Sequence, residues 1–249
     1  MTLARRIRIG LVGALLVIVL VAVAFLVWAN IVMQGDRARA MDAWTDPAVT
    51  ITSTDHSIVI APTESASATG LVFIPGAKVD PYAYMFTLSG IVEESGVTVV
   101  ITKPTLNLAF FDLRPLETFT ADVPGVTDWY VGGHSLGGVK ACMLADSPAV
   151  SGLVLFGSYC ANDLSGSGLT VLSIAGERDG LSTPAKIADA RPELPADATL
   201  VEIAGLNHAG FGDYGAQPGD RSSPLTPDEA RGAITAELER IFPPHPLVE

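Results

Sequence analysis

The sequence predicts an α/β fold, in which a mainly parallel sheet is flanked by helices and one transmembrane helix precedes it. Three observations lead to this prediction. A long apolar run stands near the start of the chain, short β-branched segments alternate with helix-forming ones from residue 70 onward, and a glycine-rich turn at Gly132–Gly138 joins a strand to a helix. Strands that alternate with helices are typical of parallel sheets, because each crossover helix returns the chain to the same edge.

Residues 1–33 are predicted to be a cytoplasmic N-terminus followed by a transmembrane signal anchor. From Ile9 to Met33 the chain is almost entirely apolar over 25 residues, and about 20 helical residues span the hydrocarbon core of a bilayer. The apolar region of a cleaved signal peptide is typically only about 7–15 residues long. Ala38-Arg39-Ala40 resembles a cleavage site but lies beyond the run. An uncleaved anchor is therefore favoured over a cleaved peptide.

The arginines around this run predict its orientation. Arg5, Arg6 and Arg8 precede the run, whereas Arg37 and Arg39 follow it. Because positive residues favour the cytoplasmic side of a membrane, we expect the N-terminus inside and the rest of the chain outside the cytoplasm.

Residues 34–47 are predicted to be a short polar stalk, and residues 48–249 a single α/β domain. The predicted strands are Val49–Thr52, Ser57–Ile60, Gly70–Ile74, Val97–Thr102, Trp129–Val131, Val150–Phe156, Thr170–Ala175 and Thr199–Ile203. The first two are expected to pair around a turn, and the others to form the parallel sheet. Helices are expected from the Asp80 cap to about Glu94, over Leu113–Thr120, after the glycine-rich turn, from Pro184, and from Pro227 to about Phe242.

Charge and motif content exclude several function classes. The net charge is −12, and because the first 40 residues carry +4, residues 41–249 carry −16. A domain this acidic is not expected to bind nucleic acid or anionic lipid by charge. No G-x-G-x-x-G occurs, and Val139 stands where a P-loop needs lysine. No cysteine–histidine cluster has metal-ligand spacing, so we expect neither cofactor nor metal.

The glycine-rich turn contains the motif G-x-S-x-G, with Ser135 at its centre and Gly133 and Gly137 at its ends. A serine on so tight a strand-to-helix turn adopts a strained backbone and exposes its hydroxyl, while glycines let neighbouring backbone approach. This pattern is typical of the nucleophile elbow of the α/β-hydrolase fold. A glycine-rich turn with a capping serine is the simpler alternative, but the strand before and the helix after it favour the elbow.

A serine nucleophile needs a base, and His208 is the predicted one. It lies in a loop just beyond the last predicted strand, and the carboxyl ends of parallel strands place their loops at one edge. The other histidines fit less well: His56 precedes Ser135, against the order Ser, acid, His. His134 is fixed beside the nucleophile inside the elbow, and His245 lies in a proline-rich tail.

The base needs an acid to orient it, and Asp179 is the predicted one. It directly follows the strand Thr170–Ala175 and lies between nucleophile and base in the sequence. Asp163, which follows the strand after the elbow, is the first alternative, while Asp213 comes after the histidine. Glu177 and Asp189 are close to Asp179 in sequence only.

An oxyanion hole requires two backbone N–H groups near the nucleophile. One is expected from Leu136, the residue after Ser135, and the other from the loop after Ile74, at Ala77 or alternatively Lys78. Gly76 allows that loop to come close.

Three side chains of the following segment, Lys78, Tyr82 and Tyr84, are predicted to contact substrate. Lys78 could attract a carboxylate, although a solvated lysine is favoured, and the two tyrosines would bound a small pocket. The connection Gly157–Leu169, where many lipases insert a lid, has only 13 residues and is polar and glycine-rich. We therefore expect an open site that prefers short acyl groups.

The two cysteines, Cys142 and Cys160, are expected either as buried free thiols or as a disulfide. An oxidising compartment would favour the disulfide, but pairing cannot be derived from sequence alone.

Four motifs together make the chain similar to the short, lidless bacterial α/β-hydrolases related to dienelactone hydrolase: Pro75-Gly76-Ala77, Gly133–Gly138, Ala175–Gly180 and Asn207-His208-Ala209. The resemblance covers the chain from about Thr69 to the C-terminal helix and implies a catalytic triad of Ser135, Asp179 and His208. Dienelactone hydrolase itself uses a cysteine nucleophile. Because this chain has serine, its lactone chemistry is not carried over.

Three functions remain open on this basis. The first is a membrane-anchored serine hydrolase that cleaves small carboxylic esters through an acyl-enzyme. The second is an acyltransferase that passes the same acyl group to an alcohol, and the third is a non-catalytic binding scaffold. The expected partners are a small acyl substrate and, through the N-terminal helix, the membrane; the sequence does not reveal the oligomeric state.

Overall fold

The computed structural model describes residues 2–121 and 123–244, and its centre is one eight-stranded sheet. The strands are β1 (Val49–Ser53), β2 (Ser57–Pro62), β3 (Thr69–Ile74), β4 (Thr98–Thr102), β5 (Asp128–His134), β6 (Val150–Phe156), β7 (Thr170–Gly176) and β8 (Thr199–Ile203). Their order in the sheet is β1-β2-β4-β3-β5-β6-β7-β8. β1 and β2 pair antiparallel, as do β2 and β4, and every other neighbouring pair is parallel. The predicted α/β fold is confirmed.

Apolar side chains cover both faces of the sheet, as the sequence of β3 illustrates. Leu71 and Phe73 belong to one buried cluster, whereas Val72 and Ile74 belong to the cluster on the opposite face. Successive side chains of a strand point to opposite faces, so a strand covered on both sides is a continuous apolar run. The polar residues that carry chemistry are therefore left to the strand ends and loops.

Seven helices lie in the described part of the chain: α1 (Leu3–Asn30), α2 (Arg37–Thr45), α3 (Met85–Ser95), α4 (Glu117–Thr120), α5 (Leu136–Leu144), α6 (Pro184–Asp189) and α7 (Pro227–Leu238). Two predicted helices are shorter than expected, because α4 begins only at Glu117 and α7 ends at Leu238. Asp80 caps a short 3-10 turn, Pro81–Tyr84, that leads into α3. Asp122 and residues 245–249 lie outside the described residues, and so does the candidate base His245.

α1 is long and apolar enough to cross a membrane by length and composition, with a mean hydropathy of 3.1 over its most apolar stretch. None of that stretch is buried by the rest of the protein. The helix is therefore a candidate span, as the sequence predicted.

The segment predicted as a stalk contains α2 and packs against the domain. The Asp36 side chain caps α2 by accepting from the amides of Ala38 and Arg39. Ala43 is buried in the core, and the Arg39 guanidinium donates to the Asp228 carboxylate at 2.9 Å. This docking was not predictable from local polarity, because α2 buries little more than one small apolar residue.

Candidate active site

Ser135 lies at a sharp turn between β5 and α5, with φ 53° and ψ −126°. This left-handed conformation is strained for a residue with a side chain and is maintained only where surrounding contacts fix it. Two hydrogen bonds do so: the Ser135 amide donates to the Phe156 carbonyl at 3.0 Å, and the Ser158 hydroxyl donates to the Ser135 carbonyl at 2.7 Å. The turn thus has the geometry predicted for a nucleophile elbow.

The elbow glycines are required by close backbone contacts. A Cβ on Gly137 would lie 2.1 Å from the Ile74 carbonyl oxygen, and one on Gly133 would lie 2.5 Å from the Gly137 carbonyl carbon. The end of β3 therefore crosses directly over the first turn of α5. This contact brings the loop after Ile74 next to Ser135.

The structure brings the predicted base and acid together. His208 Nδ1 lies 2.7 Å from Asp179 Oδ2, and both side chains are buried. The other carboxylate oxygen of Asp179 accepts from the amides of Leu181, at 2.8 Å, and Ser182, at 2.7 Å. An acid held by two amides stays in place, and because carboxylates accept, Nδ1 carries the proton that His208 donates. Nε2 of His208 is then the nitrogen that can receive a proton.

Nε2 of His208 has no hydrogen-bond partner within residues 2–121 and 123–244. The Ser135 hydroxyl also makes no hydrogen bond there, so the bond expected between these two groups is not formed in this structure. Catalytic hydrogen bonds are often long in unliganded enzymes and tighten only with substrate.

His134 faces the interior behind the nucleophile, where its ring lies 4.4 Å from that of His208. Burial and the neighbouring His208 ring lower the pKa of His134 well below its usual range, so the ring is neutral. Its Nδ1 is hydrogen-bonded to the Tyr84 hydroxyl at 2.9 Å.

The prediction that Tyr84 contacts substrate is wrong, because Tyr84 is completely buried. Lys78 and Tyr82 also point elsewhere. The Lys78 ammonium lies 4.2 Å over the Trp28 ring of α1, while the Tyr82 hydroxyl lies 3.1 Å from the Ser53 hydroxyl at the end of β1. Nothing in the loop sequence distinguished these directions, because they depend on packing against α1 and β1.

Of the backbone amides near Ser135, some donate a hydrogen bond within the protein and others do not. The Gly76 amide donates to the Tyr84 hydroxyl at 3.0 Å, and the Lys78 amide donates to the Asn107 carbonyl at 2.8 Å. The amides of Ala77 and Leu136 have no acceptor within the described ranges. Lys78 is thereby a poor alternative to Ala77 as an oxyanion donor.

None of the alternative acids is the carboxylate that is bonded to His208. The exposed Asp163 side chain accepts from the Ser165 amide, Glu177 accepts from the Gly205 amide, and Asp213 accepts from the Thr87 hydroxyl. Asp189 is at the exposed end of α6.

Asp220 is a residue of the site that the sequence did not reveal. One oxygen accepts from the Gly180 amide at 2.9 Å and the other from the Ala209 amide at 2.9 Å. Each donor directly follows Asp179 or His208, so Asp220 ties the acid loop to the base loop. No local pattern identifies it, because its partners are 40 and 11 residues away.

A disulfide joins Cys142 of α5 to Cys160 in the loop after β6. It crosslinks the helix that begins at the nucleophile to the loop that contains Ser158. No group of three or more potential metal ligands is present in the part of the chain that the structure describes.

Residues 70–231 match a family model described as alpha/beta hydrolase family. Among solved structures, the chain is similar to an α/β serine hydrolase without a lid from Xanthomonas campestris, at 17% identity and a TM-score of 0.53, over 81% of this chain and 98% of that one. It is also similar to carboxyl esterase 2 from the mycorrhizal fungus Tuber melanosporum, at 12% identity and a TM-score of 0.56, over 85% of this chain and 91% of that one.

A third similar structure is the esterase domain of a Rhodothermus marinus protein, at 12% identity and a TM-score of 0.57, over 78% of this chain and 98% of that one. At these identities the likenesses concern the fold. No curated protein matches the chain by sequence.

Proposed function

Because the chain belongs to the alpha/beta hydrolase family, whose model spans residues 70–231, we propose that it is a membrane-anchored serine hydrolase that cleaves small carboxylic esters. The observation that carries this proposal is the buried hydrogen bond between Asp179 and His208 behind the strained elbow of Ser135. Two of the similar structures are a carboxyl esterase and an esterase domain, which agrees with ester chemistry.

In the proposed reaction, the Ser135 oxygen attacks the ester carbonyl while its proton passes to Nε2 of His208. The amides of Leu136 and Ala77 donate to the oxyanion that forms, and Asp179 stabilises the charged imidazole. When the tetrahedral intermediate collapses, the leaving alkoxide takes the proton from His208 and departs as an alcohol. The acyl group stays bound to Ser135.

Water completes the cycle by the same steps. A water molecule gives its proton to His208 and attacks the acyl carbonyl, and the second collapse returns the proton to Ser135 and releases a carboxylic acid. Hydrolysis requires that water reach the site. The connection Gly157–Leu169, every residue of which is described, contains neither helix nor strand that could form a lid.

A fluorophosphonate probe tests the nucleophile, because it reacts with activated serines. The full chain should be labelled, and Ser135→Ala should not be, whereas Ser151→Ala, at an exposed position of β6, should retain labelling. Hydrolysis of p-nitrophenyl acetate should disappear with Ser135→Ala. A wild-type chain that is not labelled and hydrolyses no ester would contradict the proposal. The non-catalytic binding scaffold would then be the remaining function. Product diverted to an added alcohol at the expense of acid would indicate acyl transfer.

We also propose that residues 1–33 anchor the chain and that the domain from residue 48 onward lies outside the cytoplasm. Arg5, Arg6 and Arg8 favour this orientation, and a Cys142–Cys160 disulfide suits an oxidising compartment. Protease added to right-side-out membrane vesicles should digest the domain. Protection from the protease until the vesicles are opened would contradict this orientation.

A further inference from the structure

Three large apolar side chains are exposed together between β4 and α4. Phe110 is 46% exposed, Phe111 50% and Leu113 87%. The one acid among them, Asp112, is buried and paired with Arg114. The surface formed by Phe110, Phe111 and Leu113, here called the aromatic loop, therefore presents no free carboxylate of its own although the whole chain is acidic.

The aromatic loop is continuous with the candidate membrane span. The Phe111 ring lies 5.7 Å from that of Phe25 in α1, and Phe25 in turn lies 6.0 Å from Trp28. The Asn107 side chain donates to the Ala29 carbonyl at 3.1 Å. The loop thus runs alongside the last turns of α1 instead of on a remote face of the domain.

Backbone hydrogen bonds fix α1 relative to the domain. The Met33 amide donates to the Lys78 carbonyl at 2.7 Å, and the Asp80 amide donates to the Met33 carbonyl at 3.0 Å. Because Met33 is bonded through both its amide and its carbonyl, the chain just after α1 cannot move freely relative to the domain. The surface beside the end of α1 must therefore face whatever surrounds that end.

The position of Phe111 along α1 sets its depth. Phe25 precedes the last helical residue, Asn30, by five residues, or about 7.5 Å at 1.5 Å per residue. The 28 residues of α1 extend about 42 Å, which matches a bilayer with its headgroup layers at about 40–45 Å. Phe111 then lies near the boundary between headgroups and hydrocarbon, where aromatic residues are enriched.

We propose that the aromatic loop inserts into the outer leaflet of the phospholipid bilayer beside α1 and seats the domain on the membrane. This inference rests on the proposed anchor. Its consequence concerns the candidate site, because Lys78 contacts Trp28 and directly follows Ala77. The loop that carries the candidate oxyanion donor is thereby held at the headgroup layer.

A single-cysteine probe tests the insertion, since neither native cysteine is free. Leu113→Cys, labelled with the environment-sensitive dye NBD, is reconstituted as the full chain in phosphatidylcholine vesicles. Met143→Cys is the matched control, because Met143 is also exposed, at 52%, but lies on α5. We expect the emission at residue 113 to shift to shorter wavelength and to be quenched by phosphatidylcholine with a doxyl group near the headgroup, whereas emission at residue 143 is unchanged.

Equal emission and quenching at both positions would overturn the insertion. A blue shift at residue 113 without doxyl quenching would also overturn it, because a second copy of the chain would then cover the loop. Alkaline carbonate extraction of the same vesicles separates the two proposals: a chain that stays in the membrane but is not quenched at residue 113 refutes the insertion alone. A chain that is extracted refutes the anchor as well.

Discussion

The hydroxyl of Tyr84 lies 2.9 Å from Nδ1 of His134 in the middle of the core. The same hydroxyl accepts a hydrogen bond from the Gly76 amide at 3.0 Å. Tyr84 therefore connects the loop that carries Ala77 to the residue before Ser135. Because the His134 ring in turn packs against His208, the phenol supports the candidate site from behind without touching substrate.

Tyr84→Phe should lower kcat about tenfold, equivalent to about 1.4 kcal/mol, with KM nearly unchanged. Without the hydroxyl, the Gly76 amide and the His134 nitrogen lose a buried partner, which should cost about 1–3 kcal/mol in the free energy of unfolding. Steady-state kinetics with a p-nitrophenyl ester and denaturant unfolding measure the two effects. Tyr82→Phe is the control, because its hydroxyl is bonded to Ser53 at the end of β1 and not to His134 or Gly76. A comparable loss of kcat in Tyr82→Phe would contradict this explanation.

Asp220→Ala should reduce kcat about ten- to a hundredfold, which corresponds to about 1.4–2.7 kcal/mol. Both bridges, to the amides of Gly180 and Ala209, are lost, so the acid and base loops are no longer held together. Fluorophosphonate labelling of Ser135 should slow in parallel. Asp163→Asn is the control: it changes an exposed carboxylate in the connection after β6 and should leave kcat unchanged. A comparable loss of kcat in Asp163→Asn would indicate that Asp163 is the acid.

The strands and their order along the chain were predictable because local signals determine them. β3 is apolar at every core position, and the elbow needs glycine at Gly133 and Gly137, so each leaves a readable pattern. The pairing of Asp179 with His208 followed from the rule that parallel strands end at one edge. The pairing therefore required only the order of the residues in the sequence and the parallel direction of the strands.

The predictions that were wrong or missing concern contacts between segments that are distant in the sequence. The sequence predicts Tyr84 as a pocket wall, but a tyrosine in a short turn before a helix can point in or out, and here the His134 nitrogen offers it a buried partner. The stalk prediction missed the pair between Arg39 and Asp228, which are 189 residues apart. Asp220 was missed for the same reason.

Asp213→Asn should stabilise the protein at alkaline pH and not at acidic pH. Burial, with the nearby Asp36 and Asp228 carboxylates, raises the pKa of Asp213 to about 6, although Thr87 and Arg39 act in the opposite direction. The fold thus favours the protonated acid. The stability that the folded state gains from protonated Asp213 is fully present below the pKa of the unfolded chain, about 3.9. That gain is lost as the pH rises through the folded-state pKa of about 6.

Denaturant unfolding at two pH values measures this effect. At pH ~8 the neutral amide should raise the free energy of unfolding by about 1–2 kcal/mol, since one pKa unit corresponds to about 1.4 kcal/mol. At pH ~4 the wild type is protonated, and the difference should disappear. Asp197→Asn, at an exposed position, is the control. A gain of equal size at both pH values would show that the effect is not the charge of Asp213.

The preference for acyl length should peak at short chains. The connection Gly157–Leu169 forms no helix that could cover a long acyl chain. Each methylene that becomes buried contributes about 0.8 kcal/mol, so an apolar groove would raise kcat/KM severalfold with every carbon added.

We therefore expect kcat/KM for p-nitrophenyl esters to be highest at about two to six acyl carbons and to fall beyond them, because added methylenes stay in water and gain nothing. The measurement is made on the full chain in detergent micelles, with every ester below its solubility limit, and the Ser135→Ala variant supplies the background rate. A kcat/KM that keeps rising to about twelve carbons would mean that an apolar surface outside the domain receives the chain. The exposed side of α1 and the aromatic loop beside it would then be the surface to truncate, since Trp28 of α1 contacts Lys78, the residue after Ala77, and Phe25 of α1 contacts Phe111.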